Sequence, residues 1–129
     1  MRTINSKPMT PKRIPIPSDL VLKVCINDLY DQDAEAIDIT DLSAIKLTFA
    51  AGGASVDFEL DPSDSSNNTD GASIVTSSEG DPHILVCLCT NGLKPGQLTL
   101  RSEVTIPDDR FHDGERKEVD EYVFPIILT

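Results

Sequence analysis

The chain has 129 residues, 39% of them hydrophobic and 5% aromatic, with a formal net charge of −11. That length fits one domain with an aliphatic core, and the apolar content excludes wholesale disorder. The acidic balance argues against nucleic-acid binding, which draws on clustered Lys and Arg, and no apolar run approaches the roughly 20 residues of a membrane helix.

Residues 1–18 differ from everything after them. They hold four of the nine prolines (Pro8, Pro11, Pro15, Pro17), which excludes a helix and favours an extended path. They also hold Arg2, Lys7, Lys12 and Arg13, four of the 11 basic residues, and none of the 22 acidic ones. A basic, proline-stiffened arm therefore precedes an acidic body at residues 19–129. The arm offers Ile4, Met9, Ile14 and Ile16 as apolar anchors between its charges. It loses little conformational entropy on ordering and is expected to dock on a partner, with Arg2, Ile4, Lys7, Met9, Lys12, Arg13, Ile14 and Ile16 as the binding residues. It has no apolar stretch of the kind a secretory signal carries, so the chain is expected to stay in a cytosol.

The body reads as a series of short strands. DLVLKVCI at 19–26 puts Leu20, Leu22, Val24 and Ile26 on one face. A polar connector follows, whose Leu29, Tyr30, Ile37 and Ile39 are expected to fold back onto the core. AIKLTFA and SVDFEL then alternate, with Ile45, Leu47, Phe49, Val56, Phe58 and Leu60 facing in. The glycine pair of AGGA between them is a strong hairpin signal. Lys46 and Thr48 would share the solvent face with Asp57 and Glu59. DPSDSSNNTDGA at 61–72 is a polar loop, and a short strand near Ser73–Ser77 precedes the longest ordered pattern in the chain.

That pattern runs from Pro82 to Ile106. PHILVCLCT is almost unbroken apolar sequence, which predicts a strand buried on both faces. NGLKPG supplies turn residues. QLTLRSEVTI alternates, with Leu98, Leu100, Ser102, Val104 and Ile106 on one face. A charged loop, PDDRFHDGERK, follows, and the last strand sets Tyr122, Phe124, Ile126 and Leu128 against Val119, Glu121, Val123 and Ile127. Pro125 has no N–H for a ladder, so this strand is an edge there or carries a bulge. About seven short strands at a spacing near ten residues predict an all-β, antiparallel β-sandwich with an extended N-terminal arm.

Candidate chemistry is sparse. Asp31, Asp33 and Glu35 form one acidic cluster, and Asp61, Asp64, Asn67, Asn68 and Asp70 another. Counted from Asp31, a calcium loop needs Gly at the sixth position and Glu at the twelfth, where Ala36 and Leu42 stand. The second cluster has no fixed spacing. The three cysteines, Cys25, Cys87 and Cys89, read as reduced, buried structural residues, because Cys87 and Cys89 are too far apart along one strand to bond comfortably. The two histidines, His83 and His112, complete neither a zinc site nor a nucleophile–base pair. The expectation is a non-enzymatic protein with no catalytic residues, no metal and no cofactor.

The order of segments resembles bacteriophage immunoglobulin-like virion proteins. A proline-bearing lead-in, the strand DLVLKVCIND, Asp38-Ile39-Thr40 before a hairpin strand and Leu93-Lys94-Pro95-Gly96 before a long strand are similar to the N-terminal Ig-like domain of phage baseplate upper proteins. FHDGER follows before the last strand. The chain also resembles auxiliary and head-fibre proteins of crAss-like phages, over about residues 14–129. The resemblance implies an accessory structural subunit of a virion, present in many copies and assembled in the cytoplasm of the bacterial host. Its partners would be a major capsid protein, head-fibre or tail subunits, with neither nucleic acid nor membrane. The alternative is a stand-alone Ig-like module that binds a host surface or glycan. Carbohydrate sites present exposed aromatics, and the two Tyr and four Phe of this chain fall mostly on inward-facing positions.

Overall fold

A computed structural model describes residues 11–25, 42–62, 68–69, 71–75 and 83–129. Among them are nine strands and no α-helix. They are β1 (Lys12–Ile14), β2 (Asp19–Val24), β3 (Ala44–Ala51), β4 (Ala54–Leu60), β5 (Asn68–Thr69), β6 (Ala72–Val75), β7 (His83–Cys89), β8 (Gly96–Pro107) and β9 (Glu115–Leu128). A 3-10 turn, Thr90–Gly92, joins β7 to β8. Two strands beyond the expected seven are very short, β1 in the arm and β5 in the polar loop.

The strands form a β-sandwich. One sheet has five strands in the order β1-β9-β8-β3-β4, and the other has four in the order β2-β7-β6-β5. The chain crosses between the sheets after β1, β2, β4 and β7, so neighbours in sequence repeatedly lie in opposite layers. Among the described residues all pairings are antiparallel except one: β1 runs parallel to the end of β9, with Lys12 beside Ile126 and Ile14 beside Leu128.

Alternation determines what lies between the layers. From the large sheet Ile45, Leu47, Phe49, Leu60, Leu98, Leu100, Val104 and Ile106 point in; from the small sheet come Val24, Ile84, Val86 and Leu88. Phe49 packs edge-on against Phe58, with ring centres 5.8 Å apart, and stacks on Phe124 at 6.1 Å. Such contacts add to the roughly 2–3 kcal/mol that burying one large apolar side chain contributes.

The Ala51–Ala54 hairpin forms as its glycines predict. Gly52 and Gly53 both take positive φ, and Lys46 and Thr48 lie opposite Glu59 and Asp57. The β9 irregularity is a bulge. Gln97 is beside Ile127 and Thr99 beside Val123, so three residues centred on Pro125 oppose Leu98 alone. The Gln97 side-chain amide donates to the carbonyl oxygens of Phe124 and Ile126, closing the interruption.

Three expectations differ from the structure. β7 is not buried on both faces. Only Ile84, Val86 and Leu88 are buried, because no third layer covers the outer side of the small sheet among the described residues. Cys87 and Cys89 therefore face outward and are exposed, and Cys25 is half-buried. All three are free thiols. The last strand also starts earlier than its apolar pattern does, at Glu115, because the ladder to β8 carries through Arg116, Lys117 and Glu118. The connector residues Leu29, Tyr30, Ile37 and Ile39 lie outside the described residues.

Candidate interaction site

β8 and β9 build one long hairpin, and the two candidate contact regions stand at its opposite ends. β8 has 12 residues, which at about 3.3 Å each separates those ends by about 40 Å. One end carries the root of the N-terminal arm, the other the loop Asp108–Gly114.

At the root, the arm is attached to the body's own sheet. Besides the β1–β9 ladder, Ile16 N–H donates to Thr129 O at 3.0 Å and Thr129 N–H donates to Ile14 O at 2.9 Å. Ile14 and Ile16 are half-buried against the core, whereas Lys12 and Arg13 are exposed. The chain then leaves this sheet through Pro17, whose peptide bond is cis, and enters β2. Of the residues expected to bind a partner, Lys12, Arg13, Ile14 and Ile16 thus lie along β9. Arg2, Ile4, Lys7 and Met9 lie outside the described residues. The arm boundary expected at residue 18 lies beyond the ladder to β9, which begins at Lys12. No local pattern announces a three-residue strand whose partner is 114 positions away.

At the tip, a short loop is held rigidly by one carboxylate. Asp108 accepts from Arg110 Nη2 at 2.6 Å and Arg116 Nη1 at 2.7 Å through Oδ2, and from Arg110 Nε at 2.9 Å through Oδ1. Its side chain is 7% exposed, while Arg116 also binds Glu118 at 3.1 Å. The guanidinium groups, Arg110 foremost and then Arg116, hold the Asp108 carboxyl well below the usual carboxylate range. The same pairing raises Arg116 above its ordinary value. Backbone bonds close the turn: Asp108 N–H to Gly114 O at 2.8 Å and Gly114 N–H to Phe111 O at 2.9 Å.

The loop so fixed presents Phe111, 48% exposed, with His112 and Arg110 beside it. An aromatic on a preorganised loop, flanked by a cation, is the composition of an interface anchor. In the sequence this segment is marked only as a charged loop. The available signal was a lone Phe between charges, with no apolar neighbour to alternate with.

Among the described residues no group of three or more His, Cys, Asp or Glu side chains is placed to hold a metal ion. Most of the two acidic clusters lies outside the described residues. No described helix is long and apolar enough to cross a membrane. The outer face of the large sheet carries a groove of about 520 Å³ over Lys46, Glu59, Glu103 and Lys117. There the charges pair across strands, as Lys117 does with Glu103 at 3.6 Å. The chain matches no protein-family model, no curated protein and no solved structure.

Proposed function

We propose that this protein is a non-enzymatic structural subunit of a bacteriophage virion. It is an accessory protein of the capsid-decoration, head-fibre or tail-connector kind, built on an immunoglobulin-like domain and attached through its N-terminal arm. Its partners are other virion proteins, and it is assembled in the host cytoplasm.

The observation that carries this reading is the anchoring of Lys12–Ile14 along β9. It ties Lys12–Ile14 to the body directly after the basic segment that precedes them in the chain. A tether held at one defined point restricts the search of the residues that precede it, which favours docking over a loosely attached tail. A basic arm meets an acidic neighbour with favourable encounter electrostatics. The Ig-like assignment is supported by the strand order: β2, β7 and β6 in one layer, and β9, β8, β3 and β4 in the other. The first strand is added parallel to the last. The phage assignment rests on the sequence resemblance alone.

The test is particle association. Phage particles carrying this gene are purified through a density gradient, and the chain is quantified against the major capsid protein. A fixed, reproducible copy number supports the proposal. Absence from purified particles refutes it.

A second reading, recognition of a host surface or glycan by a stand-alone Ig-like module, draws on Phe111 at the hairpin tip. That reading requires Phe111→Ala to abolish binding to host cells while leaving particle incorporation intact.

A further inference from the structure

We propose that the open edge of β2 pairs with the same edge of a second copy of this chain. The result is a two-fold dimer in which the four-stranded sheets join into one. Among the described residues β2 is the terminal strand of its sheet and has β7 as its only strand partner.

The direction of the backbone groups follows from one hydrogen bond. Cys87 N–H donates to Gly71 O at 2.7 Å, so Cys87 turns its polar groups toward β6. Val21 lies directly opposite Cys87 on the other side. It therefore belongs to a non-hydrogen-bonded pair and turns its own N–H and C=O away from β7. Asp19 and Lys23, two residues to either side, do the same. Val21 is 69% exposed, the highest value among the large apolar residues described.

The sequence of this edge is self-complementary. Antiparallel pairing about an axis through Val21 sets Asp19 against Lys23 of the second copy and Lys23 against its Asp19. Val21 meets Val21, and the half-buried Leu20 and Leu22 meet each other on the inner face. A shift of the axis to Leu20 or Leu22 loses both charge pairs, because one charge of each chain then faces a valine. Edge strands ordinarily carry a lysine that blocks pairing. Here Asp19 supplies the matching charge at the spacing an isologous contact requires. The occupant is thus a second copy of this chain, whatever the arm binds.

Sedimentation equilibrium of the full-length chain over a wide concentration range tests this. The wild type is expected to dimerise reversibly. Lys23→Glu sets like charges opposite each other and raises the dissociation constant by about tenfold or more. The double variant Asp19→Lys/Lys23→Glu restores the charge pairing with the chain's net charge unchanged, and should dimerise like the wild type. Val21→Pro removes the central outward N–H without touching the ladder to β7, so it stays folded by circular dichroism and becomes monomeric. The proposal is overturned by a wild type monomeric at every concentration, a charge swap no better than Lys23→Glu alone, or a Val21→Pro dimer. It is equally overturned if removing residues 1–10 converts a monomeric chain into a dimer, since the arm then occupies the edge.

Discussion

Thr90 and Ser18 are joined by three hydrogen bonds at the point where the arm crosses from one sheet to the other. Ser18 N–H donates to Thr90 Oγ1 at 2.7 Å, and Thr90 Oγ1 donates to Ser18 O at 2.9 Å. Thr90 N–H also donates to Ser18 O, at 3.0 Å. Thr90 is fully buried, so its hydroxyl has this one residue to satisfy it and Ser18 is held in return. The pair holds the residue that leads directly into β2.

Thr90→Val keeps the shape of the side chain and removes the hydroxyl. Ser18 N–H loses its acceptor in a part-buried site, which costs about 1–3 kcal/mol. Urea denaturation should show that loss, and Thr90→Ser should recover most of it. A Thr90→Val midpoint equal to wild type would show that the crossing does not depend on this pair.

Two turns meet at Gly52. Its φ is +62°, and an added Cβ would lie 2.5 Å from Pro95 O and 2.7 Å from Lys94 Cβ. Gly52→Ala therefore combines a left-handed backbone cost with a clash against backbone, together on the order of 2–4 kcal/mol. Gly53, also at positive φ, has nothing within 4 Å of such a Cβ. Gly53→Ala should cost only the conformational part, about 1 kcal/mol. Thermal melts of the two variants check the difference.

Cys87 and Cys89 should react with a thiol reagent such as DTNB in the native protein, because both are exposed. Cys87→Ser should shift stability by no more than about 0.5 kcal/mol, as surface substitutions do. Protection of both thiols until unfolding would contradict the outward orientation of this face.

The hairpin tip carries a pH signature. Asp108 has a folded-state pKa below its unfolded value, so its pairing stabilises the fold above the ordinary carboxylate range, near 4. That contribution is lost as pH falls from there toward the depressed value. Asp108→Asn should thus be less stable than wild type at neutral pH, and the gap should close on acidification below about pH 4. A gap constant from pH 7 to pH 2 would mean that Asp108 acts without its charge.

The fold was legible wherever period-two alternation met a glycine or proline turn. Ile45, Leu47 and Phe49, the Gly52-Gly53 turn, and Leu98 through Ile106 all took the faces their spacing assigns. β7 misled because a continuous apolar run is compatible with burial on one face or two. Cys87 and Cys89 are small enough to face solvent at little cost. β1 was illegible because its partner is distant and its three residues carry no alternation of their own. The contact regions were less legible still. Phe111 takes its significance from the Asp108 pairing that fixes the loop, and the Arg116 bond in that pairing joins residues eight positions apart across a turn.

Under the proposed function residues 1–10 carry the attachment, while residues 12–16 are bonded to the end of the body's last strand. Two truncations separate these roles, one lacking residues 1–10 and one lacking residues 1–17. Each is compared with the full-length chain for melting temperature and for copy number on purified particles. Loss of residues 1–10 should leave the melting temperature unchanged and abolish incorporation. Loss of residues 1–17 should also lower the melting temperature, because it removes the β1 ladder and the bonds of Ile14 and Ile16 to Thr129. Normal occupancy of particles by the chain lacking residues 1–10 would contradict the account.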